Sequence, residues 1–253
     1  MARTNRFDEN NYEFNLESKN GIYLIHGFTN TTYETKKLAQ YLSKQGYRTV
    51  ANNLPGHGTT IEECNRVKYQ DWVESVEQGV ARLASKCDKI HVIGSSMGGV
   101  LGLHIASQFP LNSLIAVAPV FQFKSEFKTR ILVPLFNNIV PVVSKSSQYQ
   151  DGQNMSFYGY TEYPNKALNQ FRQLTNIVRK QLNNVQCPTL LIHSEGDQTC
   201  IMENYNIVND NISSDIKEKL TLEKISHNML VEDKHIDEFN LIYKKITNFI
   251  GQF

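Results

Sequence analysis

The sequence predicts an α/β fold in which a mainly parallel sheet carries helices on both faces. The main observation is an alternation: short runs of apolar and β-branched residues are repeatedly followed by stretches with helical periodicity. Such βαβ units build parallel sheets, and their ligands gather beyond the carboxyl ends of the strands. The second observation is size, because 253 residues suit one domain, expected here to span residues 1–253.

The elements follow one another in a regular order. The first buried run is GIYLIH, and the helical stretch after it ends at Gly46, a residue suited to a helix C-cap. A later helix ends before Pro110, which cannot continue it. We expect strands at 21–26, 47–51, 89–93, 113–117, 188–193 and 220–225, and helices at 33–45, 66–86, 97–109 and 233–250.

Composition excludes several classes of protein. Lys and Arg total 26 against 25 Asp and Glu, so the chain has no basic excess and is not expected to bind nucleic acid. The longest apolar stretch, 114–121, is too short to cross a bilayer, so no stable membrane insertion is expected. The polar N-terminus does not read as a secretory signal, and the four scattered cysteines favour reduced thiols. We therefore expect a cytoplasmic protein.

One interval, residues 121–163, interrupts the alternation. It is rich in apolar and aromatic side chains, and a structureless loop of this length would be unusual in a compact domain. We interpret it as a cap insertion that covers the carboxyl end of the sheet and lines an apolar pocket. The alternative is a structural excursion packed on the flank of the domain.

The motif with the clearest chemistry is GSSMG, residues 94–98, between an expected strand and an expected helix. A serine at the tip of such a turn needs strained backbone angles, and small residues are needed two positions before and after it. Only Ser96 has glycine at both positions, Gly94 and Gly98, whereas Ser95 is flanked there by Ile93 and Met97. Ser96 is therefore the expected nucleophile.

A serine hydroxyl needs a histidine base, which in turn needs a carboxylate to orient it. In this kind of fold, the acid and the histidine follow the serine in the chain, each beyond a strand. Asp197 and His227 fit these positions, with Glu195 as the rival acid. We prefer Asp197, because Glu195 is closer to the strand and better placed to form a turn.

The oxyanion formed during attack needs two backbone N–H donors. One is expected from Met97, directly after the nucleophile. The other is expected from Phe28, in the HGFT loop after the first buried strand, where Gly27 allows a close backbone approach. The remaining histidines are interpreted as packing or surface residues, and His57 as a residue that holds its loop. No histidine pair has metal-ligand spacing, so we expect neither a metal nor another cofactor.

The motifs HGFT, LPGHG, GSSMGG, EGDQ and SHN together resemble those of the α/β-hydrolase superfamily. More narrowly, they are similar to small bacterial carboxylesterases and monoacylglycerol lipases. This resemblance implies a triad of Ser96, Asp197 and His227, oxyanion donors at Phe28 and Met97, and a cap inserted after the sixth strand, which matches residues 121–163. It also implies hydrolysis of short- to medium-chain acyl esters or monoacylglycerols through an acyl-enzyme.

The chain departs from that group in two places. Members often carry GLSLGG or GLSMGG at the nucleophile turn, whereas Ser95 here adds a polar side chain. The cap sequence has no residue-by-residue match, so the substrate is left open. A thioesterase or a feruloyl-type esterase could use the same triad, and a non-catalytic receptor on this scaffold is the alternative from another class. The expected partner is a small-molecule ester with an apolar acyl group, while the oligomeric state is left undetermined.

Overall fold

The computed structural model describes residues 7–145, 150–151, 154–155, 159–231 and 235–253. Its strands are β1 (Tyr12–Phe14), β2 (Asn20–Ile25), β3 (Arg48–Ala51), β4 (Lys89–Ser95), β5 (Ser113–Val117), β6 (Val142–Ser144), β7 (Gln150–Asp151), β8 (Asn154–Met155), β9 (Glu162–Pro164), β10 (Thr189–Ser194) and β11 (Lys217–Leu222). Its α-helices are α1 (Tyr33–Lys44), α2 (Ile61–Cys64), α3 (Tyr69–Ala84), α4 (Met97–Gln108), α5 (Val133–Phe136), α6 (Asn165–Arg179), α7 (Glu203–Asn209) and α8 (Ile236–Ile250).

A seven-stranded sheet organises the fold, with the strand order β1-β3-β2-β4-β5-β10-β11. All neighbouring strands in it run parallel except β1, which pairs with β3 in the antiparallel sense. At the carboxyl edge, Val117 of β5 lies opposite Ser95 of β4 on one side and Ile192 of β10 on the other. The loops that follow these three strands therefore open at one edge of the sheet.

The central strands are buried because helices flank the sheet. Every residue of β5 and β10 is buried, which is typical of parallel strands covered on both faces. Helices α3, α4 and α6 pack against one another, while α1 and α8 meet through the rings of Tyr41 and Tyr243. The predicted α/β-hydrolase fold, with helices around a mainly parallel sheet, is confirmed.

Most of the predicted elements match the observed ones to within a few residues. The strand predicted at 113–117 coincides with β5, whereas the one predicted at 220–225 is β11, which begins and ends three residues earlier. The sequence analysis did not predict β1 or α7. In the described residues, no helix combines the length and apolar character needed to cross a bilayer. The cysteines are free thiols.

The segment 121–163 follows β5, the fifth strand counted from residue 7. The resemblance placed it after a sixth strand; among the described residues, five strands of the seven-stranded sheet precede the segment, and β10 and β11 follow it. The segment contains a π-helical turn (Lys128–Leu132), the short helix α5, and two small antiparallel pairs, β6 with β9 and β7 with β8. Its described residues are therefore folded rather than a plain loop. That it acts as a cap is still a prediction.

Candidate active site

The turn between β4 and α4 carries Ser96 in a strained conformation, with φ 54° and ψ −114°. Its glycine neighbours are required by close packing: a β-carbon on Gly94 would overlap the carbonyl group of Gly98, and one on Gly98 would overlap the carbonyl group of Ile25 in β2. The Ser96 backbone N–H donates to the Val117 carbonyl oxygen at 2.8 Å, which fastens the turn to β5. The Ser96 side chain lines the cavity described below.

Ser95 faces a different partner. Its buried hydroxyl donates to one carboxylate oxygen of Glu34 at 2.8 Å, and the backbone N–H of Gly27 donates to the other at 2.6 Å. Glu34 lies in the first turn of α1 and is 2% exposed. This buried carboxylate thus connects Ser95, next to the proposed nucleophile, with Gly27 in the HGFT loop. Sequence analysis did not identify Glu34, although a polar residue at position 95 was a sign that some buried partner existed.

His227 is held by the predicted acid. Its Nδ1 lies 2.6 Å from Asp197 Oδ2, while Asp197 Oδ1 accepts from the backbone N–H groups of Thr199 and Cys200 at 2.7 and 2.9 Å. Glu195, the rival acid, is exposed. The structure thus brings Asp197, not Glu195, against the imidazole.

The electrostatics of this pair follow from its burial and mutual attraction. Burial alone disfavours both charges, but the His227 imidazole and the donated N–H groups outweigh it and lower the pKa of Asp197. For His227, burial is likewise outweighed, here by the Asp197 carboxylate, so that its pKa is raised above the ordinary histidine value; Glu34 adds a smaller effect in the same direction. The arrangement favours an imidazole that can hold a proton during a reaction.

Ser96 and His227 line the same cavity, which has a volume of about 390 Å³. Among the described contacts, no hydrogen bond joins the Ser96 hydroxyl to the imidazole. Such bonds are often long or poorly aligned in enzymes without substrate and tighten when substrate binds. The structure therefore brings acid and histidine into contact and places the serine beside them at one cavity.

The predicted oxyanion donors are the backbone N–H groups of Phe28, in the HGFT loop, and of Met97, the first residue of α4. Within the described part of the chain, nothing accepts a hydrogen bond from the backbone N–H of Phe28 or of Met97. The ring of Phe28 packs near Trp72 and Phe171, with centroid distances of 6.2 and 5.6 Å, which fixes the loop. Gly27 and Phe28 both line the cavity with Ser96.

His57, the histidine of the LPGHG motif, packs among aromatic rings. His57 is buried beside His26, Phe28, Trp72 and Tyr160, in keeping with a residue that holds its loop. The described residues contain no group of three or more His, Cys, Asp and Glu side chains suited to a metal ion.

The cavity wall combines an apolar part with a polar part. Its described lining residues are Gly27, Phe28, Thr29, Asn30, Ser96, Val120, Phe123, Lys124, Ser125, Lys128, Thr129, Val143, Ser144, Lys145, Tyr163, Leu168, Phe171, Gln198, Thr199, His227 and Asn228. Many of them come from the segment 121–163, which therefore forms one wall of the cavity over the carboxyl edge of the sheet.

Comparison with known proteins agrees with this geometry. Residues 17–234 match the hydrolase family described as serine aminopeptidase, S33. The chain belongs to this family. The expectation that it is an enzyme, a serine hydrolase of the α/β-hydrolase superfamily, is thereby confirmed.

This S33-family hydrolase is similar to two curated bacterial enzymes. It is 29% identical over 214 residues to a thermostable monoacylglycerol lipase of a Bacillus species, with 82% of each chain covered. It is 25% identical over 231 residues to a carboxylesterase of Bacillus subtilis, with 90% of this chain and 91% of the relative covered. The resemblance to small bacterial carboxylesterases and monoacylglycerol lipases is confirmed.

Solved structures share the fold of this S33-family hydrolase. A structure of metagenome-derived lipolytic enzymes, LipS and LipT, superposes with a TM-score of 0.86 at 24% identity and covers 100% of both chains. A soluble variant of the monoglyceride lipase of Saccharomyces cerevisiae superposes with a TM-score of 0.75 at 19% identity, over 93% of this chain and 87% of that one.

Proposed function

We propose that this protein hydrolyses carboxylic esters of short- to medium-chain acyl groups, including monoacylglycerols, through a Ser96–His227–Asp197 triad. The observation that carries the proposal is the 2.6 Å contact between His227 and Asp197 at the cavity that the strained Ser96 also lines. A carboxylate–imidazole pair beside a serine at a strained turn is the arrangement that makes a hydroxyl nucleophilic. The names of the two Bacillus relatives support the same reaction class.

The reaction proceeds in two halves. His227 Nε2 takes the proton of Ser96 as its oxygen bonds to the ester carbonyl carbon, and the backbone N–H groups of Phe28 and Met97 stabilise the oxyanion. The imidazolium then protonates the leaving alcohol as the ester C–O bond breaks, which leaves an acyl-enzyme. Water, deprotonated by His227, attacks this acyl group, and Ser96 leaves with the returned proton. Asp197 fixes the imidazole tautomer and stabilises the imidazolium.

The cavity supports an ester with an apolar acyl part. Its volume of about 390 Å³ lies within the range of small-molecule sites. An apolar part of the wall can bury an acyl chain of limited length. The side chains that form it are Phe28, Val120, Phe123, Val143, Leu168 and Phe171.

The charge of the cavity favours an ester over a peptide with a free amino terminus. An aminopeptidase must accept a positively charged α-amino group, for which a carboxylate is the natural partner. The described lining contains no Asp or Glu but three lysines, Lys124, Lys128 and Lys145. A cationic amino terminus would be repelled here, so the family's peptidase description does not decide the substrate.

The proposal is tested by serine substitution. Ser96→Ala is expected to abolish hydrolysis of 4-nitrophenyl butyrate and labelling by a fluorophosphonate while the circular dichroism spectrum is unchanged. Ser95→Ala is the matched control and is expected to retain both activities. If Ser95→Ala loses labelling and Ser96→Ala keeps it, the assignment of the nucleophile is wrong. If the unmodified protein neither turns over esters nor is labelled, the hydrolytic proposal itself fails, and a receptor role replaces it.

A substrate panel separates the related enzyme classes. Acyl thioesters, feruloyl esters and monoacylglycerols of matched acyl length are compared by kcat/KM. We expect the oxygen ester of an aliphatic acid to be preferred, because the apolar wall can bury an aliphatic chain and the two Bacillus relatives are named a monoacylglycerol lipase and a carboxylesterase. Preference for the thioester or the feruloyl ester would move the chain to that class. A cytoplasmic location, for which the free cysteines are the support, stays a prediction.

A further inference from the structure

Two described residues of the segment 121–163, Lys145 and Tyr160, form hydrogen bonds with Thr29 at the end of the HGFT loop. The backbone N–H of Tyr160 donates to the Thr29 carbonyl oxygen at 2.9 Å, and the ammonium group of Lys145 donates to the Thr29 hydroxyl oxygen at 2.8 Å. Thr29 directly follows Phe28, whose N–H is a proposed oxyanion donor. The Lys145 ammonium group is therefore fixed close to the reacting end of the cavity.

Lys145 has no acidic partner among the described residues. The Thr29 hydroxyl accepts one of the three hydrogen bonds that an ammonium group can donate, and the ring of Tyr163 lies 5.2 Å from Nζ, a cation–π contact. No carboxylate of the described chain forms an ion pair with it. Burial lowers the pKa of Lys145 to about 7, as expected for a cation without a compensating negative charge.

The rest of the cavity has the same sign of charge. Lys124 and Lys128 are exposed and line the cavity as well, while the described lining contains neither Asp nor Glu. The chain as a whole is almost neutral at +1, so this positive charge belongs to the cavity and not to the molecule in general. A cavity lined by one sign of charge attracts a ligand of the opposite sign.

We propose that the preferred ester carries an anionic group, a carboxylate or a phosphate, that pairs with the ammonium group of Lys145. This inference rests on the proposed ester hydrolysis and names its substrate class. The anionic group supplies the negative partner that the described residues do not provide, and a charge-assisted hydrogen bond in a partly enclosed site is stronger than a neutral one. Lys145 thus acts as a specificity-determining residue, while the triad performs the reaction.

The anionic group has two possible sources, which two pairs of esters distinguish. In the first pair, 4-nitrophenyl hydrogen adipate carries a carboxylate on the acyl chain, and 4-nitrophenyl hexanoate is its neutral counterpart of equal length. In the second pair, 1-decanoylglycerol 3-phosphate carries a phosphate on the alcohol, and 1-decanoylglycerol is its neutral counterpart. The measured quantity is the ratio of kcat/KM for the anionic ester over the neutral one, a ratio that is independent of the folded fraction of a variant.

We expect a ratio of about ten or more for at least one pair, and its loss by about tenfold in Lys145→Met. Lys145→Arg keeps the positive charge and is expected to retain part of the preference. Lys37→Met, at an exposed lysine of α1 that does not line the cavity, is the matched control and should leave the ratio unchanged. The pair that shows the preference identifies the source of the anionic group.

Each contrary result has a distinct meaning. If neutral esters are hydrolysed and neither anionic ester is preferred, the inference is overturned and the proposed ester hydrolysis stands. If the preference exists but is the same in Lys145→Met, the residue has been wrongly assigned and only holds the loop or aids the oxyanion. If none of the four esters is hydrolysed and no fluorophosphonate labelling occurs, the proposed function fails and the inference fails with it.

Discussion

The proton relay depends on how single residues alter the pKa of His227. In the proposed mechanism the neutral imidazole of His227 is the base, so kcat/KM is expected to rise with pH as His227 loses its proton. Because Asp197 raises the pKa of His227, this rise should be centred above the ordinary value of about 6.5. In Asp197→Asn the raising charge is gone and burial lowers the pKa, so the rise should move to lower pH while kcat falls on the order of 10³- to 10⁴-fold.

The measurement is a pH–rate profile with 4-nitrophenyl butyrate for the unmodified protein and Asp197→Asn. Glu195→Gln is the control, because that side chain is exposed and is expected to leave the profile unchanged. A profile that is identical in Asp197→Asn would mean that a different group orients the imidazole.

Glu34 is the second residue whose role can be separated by substitution. It accepts the Gly27 N–H and the Ser95 hydroxyl, and its charge also raises the pKa of His227. Glu34→Ala should lower kcat by about ten- to a hundredfold with little change in KM, because the loop that carries the proposed oxyanion donor Phe28 loses its anchor. Glu34→Gln keeps an acceptor for Gly27, so it should recover most of kcat while still moving the pH–rate rise to lower pH.

Ser95→Ala removes only one of the two bonds to Glu34 and serves as the comparison. Equal kcat values for Glu34→Ala and Ser95→Ala would contradict an anchoring role for the carboxylate, because the hydrogen bond to Gly27 would then make no contribution to kcat. An unchanged pH profile in Glu34→Gln would instead show that the charge of Glu34 does not influence the pKa of His227, while its anchoring role would still stand.

At the scale of elements, the turn between β4 and α4 depends on how closely helix and sheet approach. A β-carbon on Gly98 would overlap backbone carbonyl groups of β2 and of the residue after it, which are not free to move. Gly98→Ala should therefore destabilise the protein by about 1–3 kcal/mol and suppress fluorophosphonate labelling in the fraction that stays folded. Urea unfolding followed by tryptophan fluorescence, together with labelling, measures both effects.

Gly102→Ala is the matched control for this prediction. Gly102 lies in the same helix, but the nearest atoms to its added β-carbon are side-chain ends of Leu114 and Val92, at 3.0 and 3.3 Å, which can shift. Its labelling should be retained and its destabilisation smaller. Equal loss of labelling in both variants would indicate a general disturbance of α4 and not a specific need for glycine beside the nucleophile.

The central strands could be predicted from sequence because burial on both faces leaves continuous apolar runs, as in β5 and β10. The edges of the sheet could not. Strand β11 is polar along much of its length, and its position is set by pairing with β10, where Thr189 lies opposite Lys217. The sequence shows only the apolar residues near its end, so the strand was predicted three residues too late. Strand β1 has three residues and exists only through its pairing with β3.

The candidate site shows the same division. Ser96 and Asp197 follow strands that the sequence locates to within two residues, and His227 follows β11, whose order in the chain it predicts although its bounds differ by three residues. The expectation that the three residues meet at one edge needed only this order and the parallel sheet. Glu34 could not be found in this way, because its contact with Ser95 joins a helix to a turn 61 residues away. Lys145 could not either, since its place at the cavity depends on how the segment 121–163 folds and on its bond to Thr29.

At the scale of the whole molecule, buried histidines make stability depend on pH. Burial lowers the pKa of both His91 and His193 to about 4, and it also lowers the pKa of His26 and of His57. In the unfolded chain a histidine titrates near 6.5. The unfolded state therefore binds more protons than the folded state between these values, so stability is lost as the pH falls from about 7 towards 4. His227, with its raised pKa, acts in the opposite sense and offsets part of this loss.

For His91 alone, the difference between about 4 and about 6.5 amounts to a loss of about 2 kcal/mol of unfolding free energy between pH 7 and pH 5. Urea unfolding at these two pH values should show the loss in the unmodified protein and show it reduced by about 2 kcal/mol in His91→Gln, which has no titrating ring. Ser113→Ala removes the hydroxyl that lies 2.8 Å from His91 Nδ1 but keeps the ring, so its pH dependence should match that of the unmodified protein. If His91→Gln shows the same loss as the unmodified protein, the buried imidazole of β4 does not contribute to acid sensitivity between these pH values, and the other buried histidines with lowered pKa, His26, His57 and His193, must account for it.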